Sequence, residues 1–385
     1  MIPLSVPHIS GNEWEYIKEC LDTGWVSSVG SYVRAFEEGI SDLVGSRNAV
    51  ACVNGTAALH VSLLVAGVKE NQEVILPTVT FIAPVNAVHY IGAHPIFMDC
   101  DDFYNIDAGK TMDFLEKHTE YREGKTINRE TGRTIGAVIP VHVFGNAALL
   151  KELLPFCRER NIKVIEDASE SLGSFYIEDE PHGPHTGSLG DLGCLSFNGN
   201  KIITTGGGGM IVTKNDKMAE RARYLTTQAK DDPVKYIHEE VGYNFRLTNV
   251  QAAMGVAQLE RLHDYVEIKK RNYQTYKSAI DQIKGLELAE LPGYAYNNHW
   301  MYALRIDRDL YGLDRDSLMD RLDQNGIQSR PLWELNSRQK PYRECFSFHI
   351  EKAKNLHEIT LNIPCSVGLT MDEIEKVITV LQEQE

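Results

Sequence analysis

Residues 196–210 read SFNGNKIITTGGGGM. The short apolar run GCLSF ends at Phe197, and Lys201 stands between it and an unbroken glycine tract that starts at Gly206 and ends at Gly209. Four side-chain-free positions let the backbone approach a neighbour or ligand closely. The flanks of Lys201 are apolar or small, unlike those of a solvated face, although a surface position is the ordinary fate of a lysine. Upstream, KVIEDASESLGS (163–174) puts Asp167 at the end of another apolar run. Further strands are expected at 49–53, 74–76, 95–98 and 137–141, with helices at 55–66, 81–91 and 147–160 between them. That βαβα rhythm implies an α/β fold, a mostly parallel sheet with helices on both faces. Ligands of such sheets bind beyond the carboxyl ends of the strands. Asn54, His142 and Asp167 all follow strand ends, so they are expected on one rim.

At 385 residues the chain suits two domains. Residues 1–250 read as a large domain, and 251–385 as a connecting helix and a smaller α+β domain. The first 24 residues are candidates for packing on the small domain. The helical pattern from 250 runs to about 283, followed by a strand at 300–306 and a helix at 314–325 stopped by Gly326. The last helix opens at TMDE (370–373), a capping-box pattern. Residues 118–134 are polar and glycine-punctuated and read as a surface excursion. A net charge of −15 argues against a coat for nucleic acid or an anionic membrane. An anionic substrate stays open, since a local arginine and a helix start can hold phosphate. The seven cysteines are odd in number and form no CxxC pair, so they read as reduced core thiols of a cytoplasmic protein. No signal peptide and no membrane span is expected.

A lysine beside a strand-end aspartate is how a pyridoxal 5'-phosphate (PLP) enzyme is built. The lysine holds the cofactor as a Schiff base and the aspartate holds its pyridinium nitrogen. Asp167 reads equally as a cap of the next segment. Asn54-Gly55-Thr56-Ala57 opens a helix whose free amides suit a phosphate, and Ser196 is placed to add its hydroxyl. Phe81 is a candidate for stacking on the cofactor ring or for ordinary core packing. Other motifs fail. GKT at 109–111 has Tyr104 where a P-loop needs its first glycine. The glycine tract is not GxGxxG, and no GxSxG exists. His182 and His185 have metal-like spacing but no further ligands, so no metal is expected.

Six ordered blocks resemble the DegT/StrS sugar aminotransferases over nearly the whole chain. They are NGTAAL (54–59), PTVTFIAP (77–84), VHVFG (141–145), EDASE (166–170), the lysine segment 196–209, and GYNFR (242–246) with QAA (251–253). The resemblance implies the PLP fold type I. It implies that Lys201 is the Schiff-base lysine and proton shuttle, that Asp167 binds the ring nitrogen, and that Phe81 stacks on the ring. It also implies phosphate contacts from Thr56, Ala57 and Ser196, and from Asn244 to the partner subunit's cofactor, hence a homodimer. Glu170 stands near the cofactor where the family usually has glutamine, Asn54 where it has serine, and Gly208 where it has glutamate. Ser28 and Arg330 lie in segments like those that frame the sugar nucleotide, Arg330 being the candidate diphosphate contact or a plain surface arginine. The segments 197–213, LTTQAKDDP (225–233) and GYNFRLTNVQAA (242–253) look similar to the C4 aminotransferases of legionaminic-acid synthesis. The implied reaction moves an amino group from L-glutamate, by way of pyridoxamine 5'-phosphate, to C4 of a UDP- or GDP-linked 2-acetamido-2,6-dideoxy-4-keto-hexose. A C3 aminotransferase, a PLP-dependent sugar dehydratase, and a regulatory or binding protein on the same fold are the alternatives. Lys201 speaks against the dehydratases, which carry histidine there.

Overall fold

The strands at Glu73–Pro77 and Gly209–Thr213 are buried at every position, and His94–Met98 and Lys163–Asp167 at all but the first. Continuous apolar runs of this kind belong to strands covered on both faces. The computed structural model, which describes residues 1–177, 183–232 and 234–383, joins them in an eight-stranded sheet. The order is Asn48–Cys52, Gly209–Thr213, Leu192–Ser196, Lys163–Asp167, Ile135–Val138, Glu73–Pro77, His94–Met98 and Ser347–Phe348. Only Gly209–Thr213 runs against its neighbours. A parallel return would need a long crossover, whereas an antiparallel one needs only a short loop. The loop 197–208 is that return, and it leaves Lys201 at the ligand-facing rim. Register finishes the placement, because Gly209 pairs with both Cys52 and Ser196, and Asp167 pairs with Cys194.

The helix Gly55–Val65 is apolar almost all round, as its burial against the sheet requires. A second sheet, ordered Leu286–Leu288, Tyr302–Ile306, Thr360–Ile363 and Arg330–Pro331, is antiparallel and has its own apolar cluster. Helices Leu262–Ile280, Arg315–Gln324 and Met371–Gln382 supply Tyr276, Leu318, Leu322, Val377 and Leu381 to that cluster. The last helix has the expected capping box, Thr370 with Glu373. The first residues lie along this sheet: Ile2 donates to the Gly326 carbonyl, and Leu4 accepts from Cys365.

Several expected elements differ. The helix expected at 147–160 is confined to Leu153–Glu159, because the Ala147 and Ala148 carbonyls accept from Asn105, Tyr294 and Tyr176 instead. The helix expected at 81–91 is Ala83–Tyr90. The pattern at 250–283 is two helices, Asn249–Leu259 and Leu262–Ile280, broken where Gln258 and Tyr265 both donate to the His8 carbonyl. The excursion at 118–134 contains a hairpin of Thr119–Arg122 with Lys125–Asn128. His182 and Pro233 lie outside the described residues, so the His182/His185 pair and the end of the 225–233 segment are not placed. Among the described residues no cluster of ligating side chains could hold a metal, and no helix is long and apolar enough to cross a membrane. The seven cysteines are free thiols, and all but Cys345 are buried.

Candidate active site

A cleft of about 660 Å³ opens where the carboxyl ends of the main strands meet the second sheet. Lys201 lies at its floor with a mostly buried side chain. Its Nζ is 3.6 Å from Glu170 Oε1 and 4.0 Å from the centroid of the Trp300 ring. The Trp300 indole N–H donates to the Asn200 carbonyl at 2.7 Å, so the same side chain packs on the lysine and pins its loop. On the far side of the loop, the Thr205 N–H donates to the Phe197 carbonyl, and the Phe197 N–H to the Gly208 carbonyl.

Two acids face this lysine. Asp167 is buried, and its Oδ1 accepts the Ser169 N–H at 3.0 Å. Burial pushes its carboxyl above the ordinary range, against the pull of Ser169 and Lys201. No cation lies within ion-pair distance of it among the described residues. Glu170 is 5 % exposed and accepts the Phe144 N–H at 2.9 Å. Burial raises it to about 7, with Lys201 pulling the other way. Phe144 makes this contact from a left-handed backbone, φ 58°. Behind Asp167, Glu166 points away from the cleft, as strand alternation requires. It accepts from His142 Nε2 and from the amides of Gly187, Leu189 and Gly190. Burial opposes its ionisation, but these donors outweigh it and hold Glu166 below the usual range. His142 is thus a buried brace behind the rim. Its Nδ1 accepts from Ala148, which assigns the remaining proton to Nε2.

The helix start lies beside Ser196. A Cβ on Gly55 would sit 2.9 Å from Ser196 Cβ, so only glycine fits. Asn54 caps the helix, its Oδ1 accepting the Ala57 amide at 2.8 Å. The Ala57 amide, expected to meet a phosphate, is therefore already occupied. The amides of Gly55 and Thr56 have no intrahelical acceptor and remain for an anion. These residues fit PLP. A buried carboxyl without a cation awaits a ring N–H, a helix start awaits a phosphate, and the lysine lies between them.

The wider cleft is apolar and aromatic, with Phe81, Phe144, Met301 and Trp333, and Arg330 lies farther out. Phe81 is half exposed and meets Trp333 edge-on at 6.5 Å.

The chain matches the DegT/DnrJ/EryC1/StrS aminotransferase family over residues 7–382. It belongs to that family. It is 36% identical to the GDP-perosamine synthase of Caulobacter vibrioides over 99% of this chain and 98% of that protein. The GDP-perosamine synthase of Escherichia coli O157:H7 is 32% identical over 99% and 98%. Among solved structures, DesI in the presence of its TDP-sugar product superposes with a TM-score of 0.87 at 28% identity, over 99% of this chain and 92% of that one. The protein is accordingly a PLP-dependent nucleotide-sugar aminotransferase of fold type I.

The fold gathers most of the expected site residues of this aminotransferase. Lys201, Asp167, Glu170, Thr56, Ser196, Phe81 and Arg330 all line the cleft. Ser28 does not: it lies in a separate open groove with Arg34, Glu37, Arg47, Arg223 and Arg246. Its distance from Arg330 in the chain gave no sign of this. Asn244 is exposed and outside the cleft, in a segment that bridges Thr227. Phe144 and Trp300 contact the central acid and lysine but were not expected to do so. The VHVFG block contained Phe144, yet nothing local marks a residue whose amide serves an acid 26 positions away. The GKT lysine, Lys110, pairs with buried Asp99 and with Glu351, as its failure to match a P-loop implied.

Proposed function

We propose that the protein transfers the amino group of L-glutamate to C4 of a nucleotide-linked 4-keto-6-deoxyhexose. The observation that carries this reading is the convergence of buried Lys201, Asp167 and Glu170 at the floor of a cleft with Arg330 farther out. Bound PLP supplies an electron sink for the electron pair released when a proton leaves the amine-bearing carbon. In this reading Asp167 binds the ring nitrogen and, by its negative charge, keeps the proton there. The Gly55 and Thr56 amides and the Ser196 hydroxyl hold the phosphate, and Phe81 covers the ring. Lys201 is the covalent anchor. Once displaced, its Nζ takes the proton from the glutamate Cα and later delivers one to sugar C4. The wall of Phe144, Trp300 and Trp333 keeps water from competing. Arg330, without a carboxylate partner among the described residues, binds the diphosphate through charge-assisted hydrogen bonds. Asn244 reaches the cofactor phosphate of a second copy, making the working unit a homodimer.

The nucleotide we assign is GDP, which both named synthases support. The 2-acetamido sugar of legionaminic-acid synthesis is a second reading, favoured by the segments 197–213, 225–233 and 242–253. The test supplies PLP-loaded protein with L-glutamate and a panel of GDP- and UDP-linked 4-keto-6-deoxy sugars, with and without the 2-acetamido group. Formation of 2-oxoglutarate with a 4-amino sugar, assigned by NMR, is the expected outcome, and Lys201→Ala is expected to abolish it. Amination at C3, loss of a hydroxyl, or no transfer to any member of the panel would each remove the reading.

A further inference from the structure

Glu170 has no catalytic duty in the scheme above, yet among the described residues it is the one carboxylate within ion-pair distance of the reactive amine. One oxygen is 3.6 Å from Lys201 Nζ, and the other is held by the Phe144 amide. The groups around it are few. Lys201 comes from the loop after Leu192–Ser196, Asp167 from its own segment, and the Phe144 N–H from the turn at Val143–Gly145. His142 faces Asp167 from behind. Among the described residues Lys201 is the only cation paired with Glu170. A glutamine could accept the Phe144 N–H equally well but could not take a proton.

A buried ammonium and a buried carboxylate each pay heavily for lost water, and removing one charge alone strands the other. Lys201 must nevertheless become a neutral amine to act as nucleophile or base. We infer that Glu170 is the proton acceptor of Lys201: the two groups share one proton, and the carboxylate takes it when the amine becomes neutral. The transfer is balanced. The N–H bond of the ammonium breaks, an O–H bond forms on Glu170, and the pair keeps its net charge. The rise of the Glu170 carboxyl to about 7 is consistent with the neutral pair being accessible. Glu170 is then a positioning residue for the proton, acting through Lys201. The inference rests on Lys201 being the reacting amine.

The test is pulsed acetylation of the PLP-free protein with acetic anhydride across pH, with the Lys201 peptide quantified by mass spectrometry in wild type and Glu170→Gln. In the wild type, reactivity is expected to rise in two steps, as two groups contend for the proton. In Glu170→Gln it is expected to rise in one step, because no second group contends for the proton. Identical single-step curves overturn the inference. Should the variant misfold, carbon-13 NMR of the Glu170 carboxyl in the wild type reads the same coupling. Titration in step with Lys201 supports it, and titration in the ordinary acid range overturns it. Borohydride fixation of PLP tests the lysine assignment separately. No fixation at Lys201 removes that assignment and the inference with it. Fixation with unchanged acetylation curves removes the inference alone.

Discussion

At Glu170, burial and a neighbouring cation pull in opposite directions, and burial prevails. Unfolded, this carboxyl titrates near 4.5, and folded at about 7. Between those values the folded state holds one more proton than the unfolded state, so Glu170 makes stability fall as pH rises. His299 and His185 act in the other sense. Burial lowers them to about 3 and about 4, so they are neutral when folded and take up protons only on unfolding below about 6.5. The opposing slopes overlap, which would hide Glu170 in a simple stability curve. The difference between wild type and Glu170→Gln isolates it. Urea unfolding of the PLP-free proteins is expected to show wild type losing up to about 3 kcal/mol relative to the variant between pH 4.5 and 7. A flat difference would return Glu170 to the ordinary acid range. In the sequence Glu170 was visible only as a departure from the usual glutamine; its pairing with Lys201 spans 31 positions, from 170 to 201, and needed the fold.

Among the elements, the strand Gly209–Thr213 explains the last glycine of the tract. A Cβ on Gly209 would lie 2.4 Å from the Asn54 carbonyl oxygen and 2.7 Å from the Gly55 nitrogen. Both are backbone atoms and cannot swing aside. Gly209→Ala is therefore expected to cost roughly 1–3 kcal/mol. It should also weaken PLP binding, since the displaced helix start carries the proposed phosphate amides. Gly207→Ala is the control, because the nearest atom there is the end of Gln251 at 3.8 Å. Thermal melts and PLP titration of the two variants separate close approach from a general intolerance of side chains; equal effects would refute the steric account. Strands and the helix Gly55–Val65 were legible because apolar runs and caps are local signals. The helix ends near 147 and 260 were not. Near 147 the carbonyls are captured by the Tyr176 and Tyr294 hydroxyls, and near 260 the Gln258 and Tyr265 side chains are held by the His8 carbonyl, all partners from distant parts of the chain.

For the whole molecule, the proposed homodimer makes a prediction of its own. If Asn244 serves the partner's cofactor, a mixed dimer of Lys201→Ala and Asn244→Ala subunits contains one complete site, with wild-type lysine from one copy and wild-type asparagine from the other. Mixing the two variants under subunit exchange is expected to restore about a quarter of wild-type activity, since half the dimers carry one intact site of two. No gain on mixing, with exchange verified by mass, would place Asn244 in its own subunit's chemistry. The sequence by itself determined the strand-helix rhythm, the rim that carries Asn54 and Asp167, and the loop that presents Lys201. Those features rest on periodicity, caps and glycine, which act over a few residues. Only the tertiary structure decided that Glu170 and Trp300 close on Lys201, that Asn54 claims the Ala57 amide, and that Ser28 faces a different groove from Arg330. Most of these depend on which distant segments pack together, as with the Trp300 indole reaching the Asn200 carbonyl 100 residues away. The claim on Ala57 depends on which of two local acceptors, side chain or ligand, the packed helix start admits.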